Sequence, residues 1–375
     1  MRRESSRRSN KKNIRINKMK KMNAKDFLKE LLHCASPAGK EDEARFLLNR
    51  FLSPCADRFY TDVLGNSYAV LNEKAKYKIM ITGHQDEIAA QIIRIDDRGY
   101  LYFRNSGFPF YHRWAGGKVE VITHDGRHVP GVIINQPTKP LSDETFNVKN
   151  MFVDIGVDSR EEAEKLVSIG DYIVTAPNYQ ILNGTRLVSK ALDDKIGVYI
   201  CAEAFRRIAE SGKLPKDIGL YFVGAVQEEL GSRGAKTAAY AIEPNVAFAV
   251  DVSNVSDSPG ADVKELPEFG LGKGIGIYRN ANNTPALLNR MLDIAKKKKI
   301  QVQFTPHYLA VSWTDASVLQ VNQGGCATAL LGVPNRYMHA QTEMSDLNDA
   351  EAGVRLLVET ILAINSKDTF LPPVE

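Results

Sequence analysis

Residues 218–226 read IGLYFVGAV, an unbroken apolar and β-prone run, and two adjacent carboxylates, Glu228 and Glu229, stand at its end. A run with no polar face suits a parallel strand buried on both sides. Gly231, Ser232 and Gly234 then read as a turn into a helix. Such a strand belongs inside an open sheet flanked by helices, where sites form beyond the carboxyl ends of the strands. Two acids at that place repel unless a cation or a proton joins them. A metal ion together with a general base meets that requirement.

The rest of the chain supports an α/β class with a mixed, largely parallel sheet. Helices are expected over 23–34, where Phe27, Leu28, Leu31 and Leu32 share a face, and over 41–52. Strands are expected at 58–63, 67–71 and 76–81, the last running into Gly83-His84-Gln85-Asp86-Glu87. From Leu187 onward helices and strands alternate: helices over 194–211, 232–240, 284–299, 314–321 and 349–364, and strands over 217–226, 246–250, 300–306 and 327–331. Between these parts, from about Ile92 to Tyr179, helical periodicity nearly vanishes. Short β-like runs alternate there with turn signals such as Asp97-Arg98-Gly99 and Asp125-Gly126, with one helix at 159–167. The expected organisation is a tail over 1–22, a catalytic domain in two parts (23–91 and 184–375), and an inserted β-rich domain over 92–183.

Charge decides between partner classes only after it is divided. The formal net charge of +4 combines +9 in residues 1–22, with ten Lys/Arg and one Glu, and −5 in the remaining 353 residues. The body is therefore mildly acidic and no nucleic-acid partner is expected. The tail has the composition of a solvated, disordered extension. No run of 18 apolar residues exists, so no membrane span is expected. The basic start is not followed by an apolar segment, so it is no secretory signal. Cys34, Cys55, Cys201 and Cys326 are scattered without a CxxC pair, as for free thiols in a reducing cytoplasm.

Five residues of metal-ligand type sit just past a strand or at the mouth of a helix: His84, Asp193, Glu229, Asp251 and His339. Two imidazoles and three carboxylates suit a pair of divalent cations such as zinc, cobalt or manganese. Each residue alone also has a plain structural role. Asp193-Asp194 could be a helix cap and a first-turn acid, and Glu228-Glu229 an exposed turn. Five together at one sheet edge are hard to explain that way. A metal-bound His usually donates its other ring N–H to a carboxylate or carbonyl, and Asp86, two residues past His84, can supply one. Glu228, beside a ligand Glu229, would be the unbound acid poised as general base. Ser232 lacks the G-x-S-x-G elbow of serine hydrolases. The Gly270–Gly276 run matches neither phosphate-binding fingerprint and reads as a tight loop near the site.

These motifs together resemble the dinuclear metallo-aminopeptidases that include glutamyl aminopeptidase and the tetrahedral (TET) aminopeptidases. The matching segments are GHQDEI (83–88), KALDDKIG (190–197), VGAVQEELGSRGA (223–235), AVDVS (249–253), WTDA (313–316) and GVPNRYMHA (332–340), in order over about residues 24–365. The resemblance implies that His84 and Asp251 hold one metal, that Glu229 and His339 hold the other, and that Asp193 bridges them. Glu228 is implied as the base and Asp86 as the support of His84. It further implies a cis Asp193–Asp194 peptide, an inserted dimerisation domain and assembly of dimers into a dodecamer. Ala89 stands near where the family has a glycine, and WTDA replaces Gly-Thr-Asp-Ala; both bear on specificity rather than on the ligands. The expected activity is removal of N-terminal residues from short peptides with a free amine. A related dinuclear deacylase or carboxypeptidase, or an assembling scaffold without catalysis, are the rival readings. A cellulase, as some relatives are labelled, needs two carboxylates without metal help, whereas here the acids come with two histidines.

Overall fold

The computed structural model describes residues 22–107, 113–135, 148–259, 261, 264, 268–305 and 312–374. The basic extension expected at 1–22 lies outside them apart from Met22. Two amphipathic helices lead, α1 (Ala24–His33) and α2 (Asp42–Leu52), stacked through Phe27 and Phe51. The Asn23 side chain caps α1 by accepting the Asp26 N–H. Strands β1 (Arg58–Thr61), β2 (Ser67–Leu71) and β3 (Tyr77–His84) follow. Next come β4 (Ala89–Ile95), β5 (Leu101–Ser106), β6 (Lys118–Ile122), β7 (His128–Asn135), β8 (Met151–Asp154), the short helix α3 (Arg160–Leu166) and β9 (Tyr172–Thr175). The chain then runs through β10 (Gln180–Leu182), β11 (Arg186–Ser189), α4 (Leu192–Ser211), β12 (Ile218–Ala225), α5 (Arg233–Ile242) and β13 (Val246–Asn254). It closes with β14 (Ile275–Tyr278), α6 (Pro285–Lys298), β15 (Val302–Thr305), α7 (Asp315–Gln320), β16 (Ala327–Asn335), β17 (Glu343–Asp346) and α8 (Leu347–Ala363).

Eight strands form one mixed sheet in the order β1-β2-β12-β3-β13-β16-β14-β15. The four central strands β12, β3, β13 and β16 are mutually parallel. All eight residues of β12 are buried, as an apolar strand between two helical layers requires. On one face α4 lies against β3 and β13, and its apolar residues from Leu192 to Ile208 join the largest core cluster. On the other face Ala235, Ala238 and Ala239 of α5 and Ala316 and Leu319 of α7 cover Val70, Tyr221 and Ala249.

Strands β4 to β9 close into a barrel in the order β4-β5-β8-β7-β6-β9, with β9 returning to β4 through the Ala90–Ile173 pair. Its interior holds Ile92, Leu101, Phe103, Val119, Val121 and Ile133. The fold is thus the expected mixed α/β sheet with a small β-rich insert. The barrel residues Ala89, Ile122 and Val174 pack against Ala35, in the segment between α1 and α2. It also reaches the loop after β16: the Gln341 side-chain amide donates to the Trp114 carbonyl at 2.8 Å, and Arg113 donates to the Met338 carbonyl at 3.2 Å.

Several elements extend past the sequence expectation. Strand β3 includes His84, β13 continues through Asp251 to Asn254, and β16 runs on to Asn335. The Gly270–Gly276 run is a turn only in its first part. Ile275 and Gly276 begin β14, because Gly276 pairs antiparallel with Gly332 of β16. The turn is held by Asp349, whose carboxylate accepts the N–H groups of Gly272 and Gly274.

Candidate metal centre

The parallel central strands bring their carboxyl ends to a single edge of the sheet. His84 ends β3, the Glu228-Glu229 turn follows β12, Asp251 lies in the last half of β13, and His339 lies in the loop after β16. Asp193 reaches the same edge from the start of α4, where Asp193 and Asp194 leave helical geometry and their peptide bond is cis. Two glycines permit this close approach. A Cβ on Gly83 would stand 2.6 Å from the Val198 nitrogen, and one on Gly197 would strike the Asp194 carboxylate at 2.2 Å. Five non-glycine residues of the surrounding loops take left-handed backbone angles: Ala191 (φ 50°), Gln227 (55°), Ser232 (51°), Tyr337 (65°) and His339 (61°). Such outliers persist where surrounding structure holds them, and they concentrate at functional sites.

Asp193 lies between the two imidazoles. Its Oδ1 is 3.0 Å from His84 Nε2 and its Oδ2 is 3.1 Å from His339 Nε2. Asp251 Oδ1 and Glu228 Oε2 each lie 3.9 Å from His84 Nε2, and Glu229 Oε1 lies 3.6 Å from His339 Nε2. The structure therefore gathers His84, Asp193, Glu228, Glu229, Asp251 and His339 into one cluster, with Asp86 directly behind it. Ligand-type atoms of His84, Asp193 and Glu229 fall within 4.8 Å of one another, and so do those of His84, Asp194 and Asp251.

Three buried carboxylates hold this cluster by accepting main-chain N–H groups. Asp86 accepts those of Glu228 and Glu229 at 3.0 and 3.1 Å. Asp194 accepts those of His84 and Gly197, both at 3.1 Å. Glu343, on β17, accepts those of Asp193 and His339 at 2.8 and 2.9 Å. Glu343 was not legible as a site residue. It sits four residues past His339 in the segment TEMSD, and nothing local shows that two distant turns converge on it. Asp194 carried a signal only as a possible first-turn acid.

The electrostatics are those of a buried cluster of acids and imidazoles. Burial works to raise the Asp193 carboxyl, but His339 and His84 outweigh it and hold it below the usual range. Burial would lower His84, yet Asp193 and Asp86 raise it well above an ordinary histidine. Burial, reinforced by the charge of Asp193, pushes Glu229 well up, and burial with Asp194 does the same to Asp251. Burial likewise raises Glu228. Glu229 Oε1 is buried with no hydrogen-bond donor. Buried acceptors that lack donors, interleaved with imidazole nitrogens, fit hard-to-borderline divalent cations. His84, Asp251 and Asp193 Oδ1 could hold one cation, and Glu229, His339 and Asp193 Oδ2 a second. Glu228 is held apart: its Oε1 accepts the Ser232 hydroxyl at 3.2 Å, leaving Oε2 toward the cavity. The cavity measures about 1040 Å³ and reaches Asn105 and Gly107 on the barrel.

The family model for M42 glutamyl aminopeptidase matches residues 65–356. The lysyl aminopeptidase of Pyrococcus furiosus is 33% identical over 337 residues, spanning 88% of this chain and 94% of that protein. A TET aminopeptidase from a marine-sediment Thaumarchaeota archaeon superposes with a TM-score of 0.84 at 31% identity, covering 91% of this chain and 96% of that one. The Pyrococcus horikoshii TET1 peptidase, described as able to assemble into a tetrahedron or a large octahedral shell, gives 0.80 at 30% identity and covers 91% and 100%.

Proposed function

The chain belongs to the M42 glutamyl aminopeptidase family and is a peptide hydrolase of the aminopeptidase type; on that premise we propose that it works through a dinuclear centre, with Glu228 as general base, on short peptides that carry a free N-terminus. The observation that carries this reading is the placement of Asp193, whose two oxygens each face a different imidazole. His84 and Asp251 would hold one divalent cation and Glu229 and His339 the other, with Asp193 placed between the two. When bound, a pair of zinc, cobalt or manganese ions supplies Lewis acidity toward the first peptide carbonyl and toward water.

The remaining steps belong to this chain's own groups. Ser232 occupies Glu228 Oε1, so Oε2 accepts the proton of the attacking water and returns it to the leaving amine. Asp86 fixes the Glu228-Glu229 turn from behind through two main-chain N–H groups. Glu343 fixes Asp193 and His339 in the same way. The acids of this cluster are interleaved with two histidines, which speaks against a glycosidase pair.

We assign residues 23–91 and 184–375 to the catalytic domain and 92–183, which holds most of the barrel, to an inserted dimerisation domain. The assembly of the Pyrococcus horikoshii relative supports a dimer-based homo-oligomer. The free thiols of Cys34, Cys201 and Cys326 support a cytoplasmic enzyme. No helix among the described residues is long and apolar enough to cross a membrane.

The test is a mixed peptide pool and its Nα-acetylated copy, each incubated with cobalt-loaded protein and followed by mass spectrometry. Stepwise shortening of the free-amine pool alone is expected. Equal cleavage of both pools would replace this reading with an endo- or carboxypeptidase.

A further inference from the structure

The cavity at the sheet edge has two ends of unlike character. One end is open: Trp313 is 88% exposed there, beside the half-buried to exposed Leu230 and Arg233. The other end is closed by Phe269, Tyr278 and Leu330, each at most 2% exposed and each contributing to the cavity lining. These three come from β14, β16 and the turn before β14, so the wall is part of the sheet and its flank. Phe269 and Tyr278 pack as a tilted ring pair 5.8 Å apart. The Tyr278 hydroxyl is engaged by Ser253. Among the described lining residues outside the candidate metal centre, Arg233 is the one formal charge. It stands at the open end, directed to the Gln227 side chain at 3.3 Å.

An exopeptidase must stop a chain end against a wall while the rest of the peptide leaves through the opening. The residue that is removed therefore faces the closed end, and the remainder passes Leu230 and Trp313. A lysine or glutamate side chain placed against that wall would lose its hydration with no counter-charge among the described lining residues outside the candidate metal centre to meet it. A leucine, methionine or phenylalanine side chain would exchange water for apolar contact.

We propose that this enzyme selects peptides whose N-terminal residue is neutral and apolar, and that Phe269, Tyr278 and Leu330 receive that side chain. The proposal rests on the aminopeptidase reading and adds the substrate class to it. Discrimination of this kind is worth roughly tenfold to a few hundredfold in kcat/KM.

The experiment measures kcat/KM of the cobalt-loaded full chain on five tripeptides, X-Ala-Ala with X as Leu, Met, Phe, Lys or Glu, and on their Nα-acetyl copies. Leu, Met or Phe is expected to exceed both Lys and Glu by about tenfold or more. Lys or Glu matching the best apolar residue, with the acetyl copies inert, overturns the proposal while the aminopeptidase reading stands. Equal cleavage of the acetyl copies, or no cleavage of any peptide, overturns both. Asn254, exposed at the rim of the wall, supplies a second reading. Asn254→Asp is expected to raise the Lys-to-Leu ratio by about tenfold. An unchanged ratio, with Leu turnover retained, would show that the first side chain lies elsewhere.

Discussion

The side-chain carboxylate of Asp86 accepts the backbone N–H of Glu229 at 3.1 Å. Its second oxygen accepts the neighbouring N–H of Glu228 at 3.0 Å. Its main-chain carbonyl lies 3.2 Å from His84 Nδ1, and its Oδ1 3.5 Å. A proton on Nδ1 donated to that carbonyl would leave Nε2 as the ring nitrogen available to a cation. One buried residue thus orients both the His84 imidazole and the turn that carries Glu228 and Glu229.

Asp86→Ala is expected to disturb the turn and the imidazole together. Metal affinity or kcat/KM should fall about 10- to 100-fold, the range for groups that orient ligands. Metal content by mass spectrometry and steady-state kinetics would read this. A variant with wild-type metal content and wild-type rate would remove Asp86 from the machinery.

Glu228→Gln should bind two metals per chain and bind peptide, yet lose about 10²- to 10⁴-fold in kcat, because an amide cannot take the water proton. The thermal midpoint should change little, since the amide keeps the acceptor for Ser232. Turnover within tenfold of wild type would sink the role of base.

Chelation should abolish activity and lower the thermal midpoint. The acids of the centre are buried beside one another, and their repulsion goes uncompensated once the cations leave. Cobalt, zinc or manganese should restore both. Activity that survives exhaustive chelation, verified by metal analysis, would contradict the dinuclear reading.

Glu87 is a pH-dependent support. It is buried against Lys190 at 2.6 Å and Lys195 at 2.9 Å. Burial opposes its ionisation, but the two ammonium groups outweigh it and hold its pKa at about 2. A carboxyl depressed in the folded state stabilises the protein above its unfolded pKa, near 4.5, and that contribution disappears as pH falls through about 2. It amounts to about 3 kcal/mol. Glu87→Gln should cost about 3–5 kcal/mol at neutral pH, because two buried lysines lose their counter-charge. The difference from wild type should shrink below pH 4.5 in denaturant titrations. A difference independent of pH would contradict the assignment.

His128 works in the opposite direction. It bridges Glu120 of the barrel at 2.8 Å and Glu43 of α2 at 2.6 Å, and these partners raise its pKa to about 10. Its stabilisation is fully present below the unfolded value near 6.5 and is lost as pH rises through about 10. All three side chains are partly solvated, so screening limits the contribution to about 1 kcal/mol. His128→Gln should therefore differ from wild type at pH 6 and converge with it above pH 10. Convergence already at pH 7 would mean that the bridge is not charged.

Much of the centre was legible because its residues sit at strand ends. An apolar run followed by an acid or a histidine marks the carboxyl edge of a parallel sheet, and His84 and Glu229 both follow such runs. The insert was legible from the loss of helical periodicity, although β4 begins at Ala89 within the stretch expected to belong to the sheet. Strand lengths were less legible. Strand β13 continues past Asp251 because β16 pairs with it as far as Asn254–Asn335, a partner that no local pattern announces.

The sequence by itself determined the class of elements, the order of the chemistry-bearing residues along the chain, and an acidic cluster with two histidines at one sheet edge. These follow from local periodicity, since side-chain direction repeats every two or 3.6 residues. Only the tertiary structure decided that Asp193 stands between the imidazoles of His84 and His339, that Glu343 gathers two turns from behind, and that the cavity ends on Phe269 and Tyr278. The physical reason is that a buried carboxylate takes whatever N–H groups the packing brings to it. For Glu343 those belong to Asp193 and His339, which reach it from different segments of the chain.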